Sequence, residues 1–270
     1  MAFSYSETSQ ISDMLRPRII PCLLVHNKGL VKTQRFKDPK YVGDPLNAVR
    51  IFNEKEVDEL MVLDIDATVT VRPPNMELIK NLAHECRMPL CYGGGVKTPS
   101  EAKTIINMGA EKVALSSQVV YDPDIIRYLA EAVGSQSIVC VLDVKKKLLG
   151  GYEVYTHNGT KNSGKDPLDL AKKFEDMGAG EIVINSIDQD GMMKGYDLKL
   201  IDKIRDGISL PMSVIGGAGN LSDISQVIDR YGVIGAAAGS LFVFKGKYRA
   251  VLISYPSQSE KLELCKKFYD

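Results

Sequence analysis

The sequence runs to 270 residues with 34 basic and 34 acidic side chains, so it lacks the cationic excess that gathers proteins onto nucleic acids or anionic membranes, and small molecules or protein partners are expected instead. The five cysteines (Cys22, Cys86, Cys91, Cys140, Cys265) are odd in number and form no CxxC pair, which argues against a disulfide framework or a zinc site and suits reduced thiols in a cytosol. No apolar run approaches the roughly 20 residues of a membrane span, and Met1 to Pro17 is polar, without the apolar centre of a signal peptide.

Residues 1–15 are set apart as a polar tail, with Met14 an alternative start. Arg18-Ile-Ile-Pro-Cys-Leu-Leu-Val25 is a short apolar run suited to a strand buried on both faces. The polar stretch from His26 to Asp44 is long for a connection and is a candidate lid. Pro45 to Val57 has near-helical apolar spacing, and Leu60 to Ile65 is strand two. Met76 to Cys86 reads as a helix and Pro89 to Tyr92 as strand three. Gly93 to Gly95 form a turn, followed by a helix from Ser100 to Met108 and a fourth strand from Lys112 to Leu115. The order then repeats: strand Ser137 to Val144, helix Pro167 to Met177, strand Glu181 to Ser186, helix Leu198 to Arg205, strand Pro211 to Ile215, helix Leu221 to Asp229 and strand Ile234 to Ala238.

That repetition is written in the residues. Glu59-Leu-Met-Val-Leu-Asp-Ile-Asp66 has the same shape as Glu181-Ile-Val-Ile-Asn-Ser-Ile-Asp188, at an offset of 122 residues (181 minus 59). The same offset relates Asp44-Pro45 to Asp166-Pro167, Phe52 to Phe174, Pro89 to Pro211 and Gly94-Gly95 to Gly216-Gly217. Two copies of a half of roughly 120 residues, each alternating strand and helix without a hairpin signal, imply a single (βα)8 barrel over 16–256 with half-barrels at about 18–130 and 137–250 and a tail at 257–270. A doubly wound open sheet is the alternative.

Barrel sites lie where strand C-termini meet the loops, which nominates Leu24, Asp64, Asp66, Asp143, Ser186, Asp188 and Asp190. Phosphate-binding candidates are Lys32, Gly95, Ser116 and Ser117 in the first half, and Gly191, Gly217, Gly239 and Ser240 in the second. The competing reading makes the glycines plain turn residues. His26 is a loop histidine near the first strand, His84 falls on an outer helix and His157 on a loop before Lys161. Lys245, Lys247 and Arg249 interleave with Tyr248 as a solvated face or a docking patch.

Arg18-Ile-Ile-Pro-Cys-Leu, Leu63-Asp-Ile-Asp-Ala67, Tyr92-Gly-Gly-Gly95, Gly134-Ser-Gln136, Leu142-Asp143, Gly178-Ala-Gly-Glu181, Ser186-Ile-Asp-Gln-Asp-Gly191 and Gly216-Gly-Ala-Gly219 together resemble the cyclase subunit of imidazole glycerol phosphate synthase, from about Arg18 to Phe244. The resemblance implies a lyase-type barrel without a cofactor. A glutaminase subunit would dock on its N-terminal face, and ammonia would pass a gate of Arg18, Glu59, Lys112 and Glu181. A plain stability cluster is the alternative for those four charges.

The family's chemistry uses an aspartate at the end of strand one and another at the end of strand five as general acid and base. Asp143 fills the second position. Laying Cys22-Leu-Leu-Val25 over Val141-Leu-Asp-Val144 puts Leu24 in the first, and a leucine cannot carry a proton, so ring closure should be slowed by at least roughly 10²- to 10⁴-fold. Met192-Met193 and Ser116-Ser117 also depart from the family pattern. Lys40-Tyr-Val-Gly-Asp-Pro45 and the segment Gly239 to Pro256 resemble cyclase-like paralogues of surface-polysaccharide pathways, which convert a sugar acetamido group to an acetamidino group beside an ATP-dependent amidotransferase. Three functions therefore compete: ammonia delivery for sugar amidination with Asp143 and Asp190 binding the ligand or ammonium, a true cyclase in histidine biosynthesis, and a non-catalytic activator of a glutaminase.

Overall fold

The computed structural model describes residues 16–268; the tail expected at 1–15 lies outside them. Eight parallel strands close into a barrel: β1 (Arg18–His26), β4 (Leu60–Asp64), β5 (Leu90–Gly93), β6 (Lys112–Leu115), β7 (Ile138–Lys146), β10 (Glu181–Ser186), β11 (Met212–Ile215) and β12 (Gly235–Ala238). Closure is made where Arg18 pairs with Gly235 and Cys22 with Met61, and at the far side where Glu181 pairs with Val139. One apolar layer, with Phe52, Phe174, Ile79 and Ile224, fills the space between strands and helices, and a second, with Ile20, Met61, Cys91, Val139, Val183 and Ala237, fills the barrel itself.

The 122-residue repeat extends to the helix caps. Asp44 and Asp166 cap α1 (Pro45–Glu54) and α6 (Pro167–Asp176), and Asn75 and Asp197 cap α2 (Met76–Glu85) and α7 (Leu198–Arg205). Thr98 with Glu101 and Asn220 with Asp223 form reciprocal capping boxes on α3 (Pro99–Asn107) and α8 (Leu221–Tyr231). Each such cap contributes on the order of 1 kcal/mol by giving an orphan amide its acceptor.

Three segments differ from expectation. No hairpin was expected, yet the first strand of each half continues beyond the barrel into an antiparallel excursion: β1 pairs with β2 (Gly29–Gln34) and β2 with β3 (Lys37–Gly43), and β7 pairs with β8 (Tyr152–Thr156) and β8 with β9 (Lys161–Asn162). The turns are tight because adjacent residues take left-handed backbones, at Asn27 and Lys28, Arg35 and Phe36, and His157 and Asn158. That geometry usually selects a glycine; the pairs after β1 have none, whereas Gly150 and Gly151 turn β7 into β8 and Gly159 follows Asn158. The candidate lid between His26 and Asp44 is thus two strands. Helices α4 (Ser117–Tyr121) and α5 (Ile125–Val133), absent from the sequence reading, follow β6.

The third difference is the segment set apart as a tail at 257–270, whose described residues 257–268 instead fold against the barrel. Beyond α9 (Ser240–Val243) and the short hairpin β13 (Phe244–Lys245) and β14 (Ala250–Val251), α10 (Gln258–Leu264) packs under the N-terminal face. Lys261 donates to Asp58 Oδ1 at 2.9 Å and to Glu56 O at 3.1 Å, while Tyr255 donates to Ile19 O at 2.8 Å and accepts from Asp58 N at 3.2 Å.

Candidate functional site

Side chains on a strand alternate in direction, so Glu181, Val183 and Asn185 share the inward face of β10. At the N-terminal end this brings Arg18, Glu59, Lys112 and Glu181 into a closed cycle of opposite charges. Arg18 pairs with Glu59 and, at 2.7 Å, with Glu181; Lys112 pairs with Glu59 at 2.9 Å and with Glu181 at 2.8 Å. Burial raises the Glu181 carboxyl, but Arg18 and Lys112 outweigh it and bring it down to about 2. Ser213, a strand residue that drew no attention in the sequence, joins the ring by donating to Glu181 Oε1 at 2.5 Å.

At the opposite end, a cavity of about 350 Å³ opens among the loops, bordered by Leu24, Lys32, Gly95, Ser116, Ser117, Asp143, His157, Asn185 and Asp190. Asp143 is held by two donors, Asn185 Nδ2 at 2.9 Å and Ser116 Oγ at 3.1 Å. Burial pushes its carboxyl up to about 6, the two hydrogen bonds opposing and the Asp190 charge adding to the rise. Asp190 accepts from Thr33 Oγ1 at 2.5 Å and Phe36 N at 3.2 Å, so it fastens the β2–β3 excursion over the barrel. Leu24, 9% exposed, packs with Cys22, Val31 and Leu63 and presents an apolar wall.

Beside this cavity lies a smaller pocket lined by Lys32, Asp190, Gly191, Gly217, Gly239 and Ser240. Glycine is required at Gly217, where a Cβ would stand 2.0 Å from Gly195 O, while a Cβ on Gly239 would stand 2.1 Å from the movable Lys32 Nζ. The two glycine-plus-hydroxyl sets are therefore separated, Gly95, Ser116 and Ser117 on the large cavity and the second set on the small pocket, with Lys32 and Asp190 common to both.

The remaining candidates serve other purposes. Asp64 also borders the cavity, but its Oδ1 accepts from Asp66 N and Ala67 N and shapes the turn after β4. Asp66 accepts from Asn27 N at 2.8 Å and pairs with His26 Nδ1 at 2.6 Å, and neither residue borders the cavity. Asp188 accepts from Lys146 N at 2.8 Å, and Ser186 O accepts from Asp190 N. His84 is exposed on α2. His157 does border the cavity, its Nδ1 3.0 Å from Thr156 Oγ1 and its ring edge-on to Tyr121, and burial followed by the Lys161 charge lowers its pKa. Sequence reasoning missed Asn185 and Thr33; the inward alternation from Glu181 to Asn185 was the available signal for the first.

No helix among the described residues is long and apolar enough to cross a membrane. The family model described as histidine biosynthesis protein matches residues 18–249. The chain is 57% identical to a Vibrio vulnificus protein provisionally named imidazole glycerol phosphate synthase subunit hisF3, over 92% of this chain and 96% of the relative. A Pseudomonas aeruginosa protein provisionally named subunit hisF2 is 51% identical over 90% and 97%. The imidazole glycerol phosphate synthase subunit HisF of Streptococcus sanguinis is 38% identical over 85% and 91%. A closed eightfold barrel with this extent of match places the chain in the histidine biosynthesis protein family, beside the HisF-type subunits of imidazole glycerol phosphate synthase.

Proposed function

We propose that this barrel takes ammonia from a glutaminase docked on its N-terminal face, admits it through the ring of Arg18, Glu59, Lys112 and Glu181, and delivers it at the C-terminal cavity for the conversion of a sugar acetamido group to an acetamidino group in surface-polysaccharide synthesis, together with an ATP-dependent amidotransferase. The observation that carries the reading is the wall at Leu24. The cavity has a held acid in Asp143, but an aliphatic side chain where the family's chemistry takes a second carboxylate. Between ring and cavity the interior is packed with Ile20, Met61, Cys91, Ala114 and Ala237, apolar surroundings that favour neutral ammonia over ammonium, whose charge would lose its hydration. Asp143 and Asp190 then orient a ligand or the arriving nitrogen. A phosphorylated small molecule is held by Lys32 and the second glycine set.

A second reading, ring closure in histidine biosynthesis, is favoured by Asp190 bordering the same cavity as Asp143. One assay separates the two. Ammonium salt and the ribulosyl-aminoimidazole ribonucleotide given to the purified chain should yield no product, and turnover at the rate of a histidine-pathway cyclase would sink the delivery reading. Mixed with the glutaminase from its own gene cluster, the chain should raise glutamine hydrolysis, and Ala237→Leu inside the barrel should spare that hydrolysis while blocking transfer to the acceptor.

A further inference from the structure

Three antiparallel elements stand on the C-terminal rim of the barrel: the β2–β3 excursion, the β8–β9 excursion and the β13–β14 hairpin. They are tied into one platform. Lys40 Nζ on β3 donates to Arg249 O at 3.0 Å, and Arg249 turns inward from the hairpin so that its Nη2 donates to Gly191 O at 3.0 Å. Asp188 joins the two excursions, its carbonyl accepting from Arg35 Nε at 3.3 Å and its Oδ2 from Lys146 N at 2.8 Å. Asn158, at the β8–β9 turn, reaches over to donate to Ile65 O at 2.7 Å. Lys32, Phe36, His157 and Asn158 of these elements border the large cavity, so a body seated on the platform covers the cavity's opening.

Two properties set this platform apart from a surface that meets only water. The first is apolar exposure. Leu148 and Leu149, at the tip that turns β7 into β8, are 100% and 99% exposed, Tyr248 at the tip of the hairpin is 82% exposed, and Tyr41 on β3 is exposed as well. Val71, which borders the cavity, is exposed with a left-handed backbone (φ 55°), a conformation that is costly for a β-branched residue. The second property is charge. Residues 27–43, 145–165 and 244–251 hold 13 lysines and arginines against 2 acidic residues, in a chain that has 34 of each sign. Lys146 pairs with Asp197, but Lys37, Lys145 and Lys247 have no ion-pair partner among the described residues.

We propose that this platform docks the enzyme that consumes the ammonia, the ATP-dependent amidotransferase of the delivery reading, on which the proposal rests. The partner's face is acidic, with an apolar recess for Leu148 and Leu149. Unpaired cations steer the encounter, and the apolar tips supply a centre that is buried on docking. Ammonia leaving an open mouth is protonated in water and loses the lone pair that attacks carbon, so the acceptor must be sealed against the opening. A nucleic acid would stack on the tyrosines and leave the leucine pair in water, and a lipid surface would cover the mouth without offering an acceptor.

The test is biolayer interferometry of the full chain against the purified amidotransferase from its own gene cluster, with glutamine-dependent amidination by the two proteins and the glutaminase as a second readout. Wild type should bind. Leu148→Asp with Leu149→Asp should weaken binding by about 10-fold or more, and Lys145→Glu with Lys247→Glu by a similar factor, while glutamine hydrolysis in the glutaminase complex stays unchanged. Raising salt from roughly 50 to 500 mM should weaken the wild-type complex and change the charge-reversed one little. Wild-type affinity in the leucine variant overturns the docking surface and leaves delivery standing, and so does amidination without measurable binding. Neither binding nor glutamine-dependent amidination overturns both. Flotation with phosphatidylserine vesicles that the leucine variant loses would assign the platform to a membrane and overturn the proposal.

Discussion

Lys112 donates to Glu181 across the floor of the barrel at 2.8 Å, and the same ammonium reaches Glu59 at 2.9 Å, so one cation joins two buried carboxylates from opposite halves of the chain. Glu181→Ala should therefore lower stability by about 3–5 kcal/mol, since Arg18 and Lys112 lose a counter-charge in a buried setting. Urea unfolding at pH 7 measures it. The folded carboxyl lies below its ordinary value, so its contribution is complete above the usual glutamate range and drains away as pH falls toward 2. Glu181→Gln should remove that part of the acid dependence, and an unchanged acid limb would show that the ring does not hold the charge.

Asp143 behaves in the opposite sense. Its folded carboxyl is pushed up to about 6, above the value in an unfolded chain, so its ionisation costs stability above that pH and the cost fades as pH falls through 6 toward 4. Asp143→Asn should flatten this segment of the stability profile and be the more stable form at pH 7. Denaturation midpoints for both proteins at pH 7 and pH 5 decide it; parallel profiles would mean that the cavity hydrates this acid fully.

Gly239→Ala puts a methyl group where Lys32 Nζ now rests. The obstacle is the tip of a flexible side chain, so the fold should survive, with a thermal midpoint within a few degrees of wild type, while phosphate affinity falls. A variant that binds phosphate normally would remove Lys32 from the pocket's chemistry.

Tyr255→Phe should cost about 1–3 kcal/mol in urea unfolding, because the lost hydroxyl leaves Ile19 O without the donor from the C-terminal segment and Asp58 N without its acceptor. A cost near zero would make the C-terminal helix an accessory to the barrel.

Legibility in the sequence followed the strength of local signals. β6 and α7 were read to the residue, because Lys112 to Leu115 and Leu198 to Arg205 are apolar patterns bounded by polar or glycine punctuation. The excursion after β1 was missed because its left-handed turns fall on Asn27, Lys28, Arg35 and Phe36 rather than on glycine, whereas the turns after β7 do carry Gly150, Gly151 and Gly159, a signal the sequence reading passed over. Asp143 and Asp190 were nominated from the strand-end rule, and both border the cavity. Arg249 was not nominated, since a hairpin fixes direction by its turn and a run of basic residues says nothing about which one points inward. Ser213 reads in sequence as one more core position, and only the neighbouring strand supplies the carboxylate that makes it polar structure.

A leucine at the rim makes the chamber one-handed. Asp143 can lend or keep a proton, but the wall at Leu24 can neither return nor remove one, so these two positions cannot pass a proton across a molecule lodged between them. Completing a reaction in such a vestibule takes a second set of functional groups, drawn from Asp190 or His157 on the same cavity or brought by the molecule that enters.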